Sequence, residues 1–192
     1  DQFPIPDGYQ LLPDELSTVN CSRAIELSND GHTAKISPSF EDLGDVKTVL
    51  GTLPMERHPD LAPQFSRYIS LFTVNNTAST CLCVGIQQEG GDLEKDSFNF
   101  RYGFQLNCVN GSVFRLAQPK EYTTAKFEKN CVVGVALDMY DGELSFTLDG
   151  RNLGVASKDK RLQRGKYYAA ILLLGAADQV TLVHQRKVHQ AS

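Results

Sequence analysis

A chain of 192 residues with 41% hydrophobic content can bury a sizeable core and is most simply one domain. Its net charge of −4 argues against a sequence-independent grip on nucleic-acid phosphates or anionic membranes, both of which need Lys and Arg concentrated on one surface. The longest apolar run, Tyr167 to Ala177, is broken by Gly175 and too short to span a bilayer.

In chain order, Pro4, Pro6, Gly8 and Pro13 with little periodicity predict an extended arm over residues 1–22, with regular structure starting afterwards. A first hairpin is predicted from Arg23 to Ser28 and Thr33 to Ser37 around the turn Asn29-Asp30-Gly31-His32. Between Pro38 and Pro63 only Val46 to Leu50 reads as a strand. Arg67 to Val74 and Thr80 to Gln87 are two strong strand signals across the polar turn Asn75 to Ser79, and are expected to pair antiparallel. Gln88 to Ser97 is charged, contains glycine and lacks helical periodicity, so an exposed, solvated loop is expected.

Phe98 to Leu106 and Ser112 to Leu116 give two further strands. Val132 to Gly154 then writes out three consecutive strands with both turns. Val133, Val135 and Leu137 alternate with small or polar residues, as do Leu144, Phe146 and Leu148, which is the period of half-buried strands. Asp141-Gly142 and Asp149-Gly150 provide the positive φ angles that tight turns need. Tyr167 to Leu174 and Gln179 to His184 follow, no segment carries a long i, i+3, i+4, i+7 pattern, and two packed antiparallel sheets are the economical arrangement. Residues 23–185 are the expected domain and 186–192 a tail.

Five cysteines show no C-x-x-C spacing and read as free thiols, with Cys81 and Cys83 on one face of a strand. That favours an intracellular, cytoplasmic location. Three N-x-S/T sequons, at Asn20, Asn75 and Asn110, leave secretion as a minor alternative. The chain starts at Asp1 without methionine, which suggests trimming or processing.

No G-x-S-x-G elbow, Walker A sequence, G-x-G-x-x-G, H-E-x-x-H or EF-hand loop occurs, and His32, His58, His184 and His189 have no recognisable nucleophile beside them. Asp138, Asp141, Glu143 and Asp149 could be assembled into a calcium set, but two of them precede glycine in turns, where Asp serves local backbone hydrogen bonding. No metal or cofactor is therefore expected. Lys158, Lys160, Arg161, Arg164 and Lys166 around Asp159 read as a solvated basic loop rather than a phosphate site.

The run Val133-Gly134-Val135-Ala136-Leu137-Asp138, the hairpin Gly142-Glu143-Leu144-Ser145-Phe146, the Asp149-Gly150 turn, Leu153-Gly154-Val155-Ala156 and Tyr167-Tyr168-Ala169-Ala170 resemble the C-terminal half of a SPRY (B30.2-type) domain. Upstream, Leu27-Ser28-Asn29-Asp30-Gly31, Ser66-Arg67-Tyr68 with Val84-Gly85-Ile86, and Tyr102-Gly103-Phe104 with Asn110-Gly111 resemble the family in the same order. The resemblance covers about residues 23 to 184. It departs from the family pattern in having Ile69 and Tyr102 where tryptophans are usual, and there is no Trp in the chain.

The resemblance implies an all-β, bent β-sandwich of two antiparallel sheets, concanavalin-like in architecture. It implies no catalysis and a protein or peptide ligand held by loops at one edge, with no nucleic-acid, membrane or small-molecule partner. Carried over by motif, the partner-binding residues are Ser39 and Phe40 after the early hairpin, Phe98 from the central region, and Leu174, Gly175 and Ala176 after the late tyrosine-containing strand. Leu173 is expected in the core. A glycine at 175 would let a ligand backbone approach closely, and Phe40 or Phe98 could anchor it.

Two classes of function remain open. One is the recognition module of a larger intracellular adaptor, ubiquitin-ligase or signalling protein. The other is a lectin-like sandwich of a secreted protein, which the sequons prompt and the lack of tryptophan and of a metal set opposes. An accessory insert in an enzyme such as a helicase is a third.

Overall fold

The structure, a computed structural model, describes residues 4–40, 44–95 and 102–183. The first strands are β1 (Gln10–Leu11), β2 (Leu16–Cys21), β3 (Ile25–Ser28), β4 (Thr33–Ile36), β5 (Lys47–Gly51) and β6 (Met55–Glu56). The central ones are β7 (Arg67–Asn76), β8 (Leu82–Gln87), β9 (Gly103–Asn107), β10 (Ser112–Arg115) and β11 (Gln118–Glu121). The last are β12 (Cys131–Asp138), β13 (Glu143–Leu148), β14 (Arg151–Lys158), β15 (Lys166–Leu173) and β16 (Gln179–Val183). Short 3-10 turns occupy Pro63–Ser66 and Lys160–Gln163, and no described helix is long and apolar enough to cross a membrane.

The strands form two sheets. In the first the order is β14-β13-β12-β7-β16-β4-β3, with β1 added beside β7; in the second it is β11-β10-β9-β8-β15-β5-β2, with β6 added beside β15. All pairs are antiparallel except β1 with β7, which is parallel. The all-β sandwich of two antiparallel sheets expected from the sequence is what the chain forms.

Period-2 alternation decides what lies between the sheets. Phe72 and Val74 of β7, Val133, Val135 and Leu137 of β12, and Leu144, Phe146 and Leu148 of β13 face Ile86, Phe104, Leu106, Tyr167 and Ile171 from the other sheet in one buried cluster. The rings of Phe104 and Tyr167 meet edge-on at 6.2 Å between centroids. Leu173 lies in this core, fully buried, as expected.

Both outer faces are also covered. On the first sheet Ile69, Leu71 and Ala136 are packed by Ile5, Tyr9 and Leu11, so Ile69, where the resemblance would put a tryptophan, is buried by the N-terminal segment. On the second, Val46, Leu50, Cys83, Tyr168, Ala170 and Leu172 form a smaller cluster against which Leu93 packs.

Four expectations need correction. Regular structure does not wait for residue 23: β1 and β2 lie within the segment expected to be an arm, and Leu12 and Leu16 enter the core. Strands β7 and β8 do not pair. They belong to opposite sheets, because residues 77–81 arch from one layer to the other. The sequence from Gln88 is not a freely solvated loop either. The Leu93 carbonyl accepts from Thr48 N at 3.0 Å, and the Glu94 carboxylate accepts from Ser22 Oγ at 2.9 Å and Arg23 N at 2.7 Å, which straps this segment to β5 and the β2–β3 turn. Finally, β11 continues beyond the strand expected at Ser112 to Leu116 through a turn at Leu116-Ala117.

Candidate functional site

The register brings a defined set of loops to one end of the sandwich. Gln179 of β16 pairs with Lys35 of β4 and with Asn76 of β7, so the turn before β16, the turn after β4 and the arch after β7 are neighbours. Val180 pairs with Val74, while in the other sheet Leu173 of β15 pairs with Leu82 at the start of β8 and with Lys47 at the start of β5. The β9–β10 turn reaches the same end because Cys83 pairs with Asn107.

Asp178 fixes this end. Its side chain is fully buried, and the carboxylate accepts from Ala78 N at 2.6 Å, Gly175 N at 2.7 Å, Leu174 N at 3.3 Å and the Ser79 hydroxyl. Asn76 Nδ2 adds a bond of 2.7 Å to the Ala177 carbonyl. An arch that crosses between sheets and a turn that joins two strands in different sheets are thereby held as one body. A buried carboxylate with several donors is the charge-assisted case, stronger than neutral hydrogen bonds.

The expected site residues divide accordingly. Ser39 and Phe40 stand at this end, exposed; the Phe40 amide bonds the Ser37 carbonyl at 3.1 Å and the residue is 38% exposed. Ala176 is exposed at the tip of the β15–β16 turn. Leu174 packs against both the main core and the outer cluster, so it supports the turn. At Gly175, an added Cβ would lie 2.8 Å from the Ser79 Cβ and 3.3 Å from the Asp178 carboxylate. Glycine is needed there because the arch approaches so closely, rather than because a ligand must. Phe98 lies outside the described residues.

Residues not anticipated from the sequence extend the surface. The segment after β11 crosses this end, with Thr123 N bonded to the Gly111 carbonyl at 3.1 Å. Between it and the β9–β10 turn runs a cleft of about 440 Å³ lined by Thr77, Cys108, Val109, Asn110 and residues 123–128. A second hollow of about 700 Å³ adjoins it, sharing Asn110, Thr123 and Thr124. Val109 is 42% exposed beside them. Asp178 itself had one legible signal, an acid closing a Gly-Ala-Ala stretch, where Asp commonly bonds nearby amides.

The end contains no histidine among the described residues, since His32 sits in the β3–β4 turn and His58 before β7, both at the opposite end. Burial pushes the Cys108 thiol well up, helped by neighbouring Cys131, whose own thiol is raised by burial to about 11. No disulfide joins any of the five cysteines, and Cys81 Sγ lies 3.6 Å from Cys83 Sγ. The four acids of the sequence's one conceivable calcium set have structural partners: Asp138 and Asp141 bind Arg67 at 3.0 and 3.4 Å, Glu143 binds Lys158 at 3.2 Å, and Asp149 accepts from Val132 N at 2.8 Å.

Comparison with known proteins places this geometry. The SPRY domain family model matches residues 69–186. The SPRY domain of human HERC1 superposes with a TM-score of 0.66 at 14% identity, over 89% of this chain and 99% of that one. The TRIM65 PSpry domain gives 0.64 at 13% identity, over 92% and 94%. Stonustoxin gives 0.64 at 17% identity over 91% of this chain, which spans only 27% of the toxin chain. No curated protein sequence matches the chain significantly.

Proposed function

Because the chain belongs to the SPRY domain family, whose members are generally protein-interaction modules, we propose that it binds a peptide segment or surface of a partner protein through the loop end locked by Asp178. The observation that carries this reading is the lock itself. Four donors from two loops converge on one buried carboxylate, which makes an irregular end rigid while leaving Phe40 and Ala176 exposed at its tips and Val109 exposed on the wall of a preformed cleft. Rigid loops bind with less ordering cost than mobile ones, and exposed apolar side chains around a cleft supply anchors. The module works without catalysis, as the recognition part of a larger adaptor, ubiquitin-ligase or signalling protein. Five cysteines with no disulfide among them favour an intracellular setting for it.

The test follows from what the loop end tolerates. A bulky residue at Gly175 would push on Ser79 and could not separate lost binding from lost structure. Ala176→Arg and Val109→Arg are exposed and change the surface alone. Peptides selected from a displayed random library on the wild-type domain should saturate it and lose binding to both variants. Selection that yields no saturable peptide, or peptides that bind the variants equally, would overturn the assignment.

A further inference from the structure

The end of the sandwich opposite the Asp178 lock carries a second feature, independent of the first. Residues 159–164 look from composition like a solvated basic loop, yet their backbone is fixed. Asp159 caps the 3-10 turn by accepting from Arg161 N at 2.9 Å, and its own amide bonds the Gly142 carbonyl at 3.0 Å. Leu162 is a fully buried plug. The Tyr167 hydroxyl donates to the Arg161 carbonyl at 3.0 Å, and Gln163 Nε2 donates to the Tyr140 carbonyl at 2.8 Å.

That same Tyr140 carbonyl also accepts from Arg57, at 3.3 and 3.4 Å, and the Arg57 guanidinium stands 5.2 Å from the Tyr140 ring centroid. Three acids nearby are engaged: Asp159 in the cap, Glu143 with Lys158 at 3.2 Å, and Glu56 with Lys166 at 3.8 Å. Arg57, Lys160, Arg161 and Arg164 form no ion pair among the described residues. Beside them, the loop from Arg57 to Ser66 is closed by a bond of 2.8 Å from His58 N to Ser66 Oγ. It exposes Leu61 by 51% and Phe65 by 49%. Phe65 and Gln64 border a hollow of about 550 Å³ shared with Gly8, Tyr9 and Gln10.

We propose that this end is a second docking surface, for a carboxylate-rich peptide segment that carries an apolar side chain. Guanidinium forks on a fixed backbone match carboxylates, and the Leu61–Phe65 loop offers the apolar anchor that charge pairs alone lack. A short acidic peptide fits better than an extended polyanion. The chain carries a net charge of −4, so a nucleic acid or an anionic bilayer, which covers far more surface than this end, would meet like charge beyond it.

The experiment is a titration of the ¹⁵N-labelled domain with a short peptide of glutamates flanking a central Phe-Leu pair. Parallel arms use the same peptide with Gln for Glu, phosphatidylserine vesicles and a DNA duplex. Saturable amide shifts are expected at Arg57, Tyr140 and residues 160–164, weakening with salt. The Arg161→Glu, Arg164→Glu double variant should bind about tenfold less tightly, and Phe65→Ser should bind less tightly too. The charge-matched Lys120→Glu, Arg151→Glu variant should bind as the wild type does. Shifts that are absent or fall elsewhere, equal binding of the Gln peptide, or tighter binding of vesicles or duplex through the same residues would overturn the proposal.

Discussion

Asp178 carries more of the loop end than any other side chain there, and the consequence can be measured. In Asp178→Ala the amides of Ala78, Leu174 and Gly175 lose their acceptor in a buried setting, which costs about 3 kcal/mol when a charge-assisted set is broken. Urea unfolding should show that loss, and hydrogen exchange should show the Ala78 and Gly175 amides exposed before the sheets open. A loss below about 1 kcal/mol would mean that water replaces the carboxylate and that the lock is not rigid. A second consequence concerns alkali. Burial raises the Cys21 and Cys131 thiols to about 11 from 9.0, and the Tyr9, Tyr122 and Tyr167 hydroxyls to about 12 from 10.0. The unfolded chain therefore ionises first and binds fewer protons than the folded one across that window, so stability must fall as pH rises. The contribution is full below about pH 9 and is lost as pH climbs through the folded values near 11 and 12. Urea midpoints measured at pH 8, 9.5 and 10.5 should fall in that order; a flat profile would show that these groups are not buried.

At the scale of elements, the β10–β11 hairpin shows where local signals fail. Its two turn residues, Leu116 and Ala117, have φ angles of +51° and +71°, the left-handed region where Asn and Gly are expected. Leu116 packs against the core and has a reason to stay, whereas Ala117 is exposed. Ala117→Gly should stabilise the domain by roughly 0.5 kcal/mol, because relief of the left-handed strain outweighs the added freedom of the unfolded chain. Thermal unfolding checks the sign; a lower midpoint would mean that the methyl group has an unrecognised contact. The absence of a turn signature, together with Pro119, hid β11 in the sequence, while Asn29-Asp30-Gly31 and Asp149-Gly150, both with positive φ throughout, were legible at sight. The partition of strands between sheets was not legible for a different reason. Outer as well as inner positions of β7 and β8 are apolar, because Tyr9 and Leu11 cover one outer face and Leu93 packs on the other. Alternation then marks each strand without saying which neighbour it takes, and the short polar stretch Asn75 to Ser79 looks like a hairpin turn although it is an arch. The proposed binding end suffers likewise. Ala176 and Phe40 could be placed by motif, but Val109 and residues 123–128 join them only through pairings distant in sequence.

For the molecule as a whole, the last two strands are the keystones. β15 lies between β8 and β5, and β16 between β7 and β4, so each sheet is joined across its middle by a strand from the C-terminal part of the chain. A side-chain relay makes the same connection, with Thr33 Oγ1 at 2.9 Å from Thr181 Oγ1, which donates to Asn75 Oδ1 at 2.7 Å. Until these strands arrive, β2 to β5 have no sheet to join, and the loops that must close span most of the chain, a topology that folds slowly. Both proposed binding ends depend on them as well. Asp178 sits at the entry to β16, and the Tyr167 hydroxyl near the entry to β15 holds the basic turn at Arg161. A chain ending at Gly165 should therefore lack cooperative urea unfolding and near-ultraviolet tyrosine dichroism, even though most of its strands are present. Adding a peptide of residues 166–183 in trans should restore both signals, since that peptide supplies two central strands and six buried core side chains in Tyr167, Ala169, Ile171, Leu173, Val180 and Leu182. A truncated chain that unfolds cooperatively by itself would show that β12 to β14 with β7 form a stable unit, and that the two ends of the sandwich can be ordered independently.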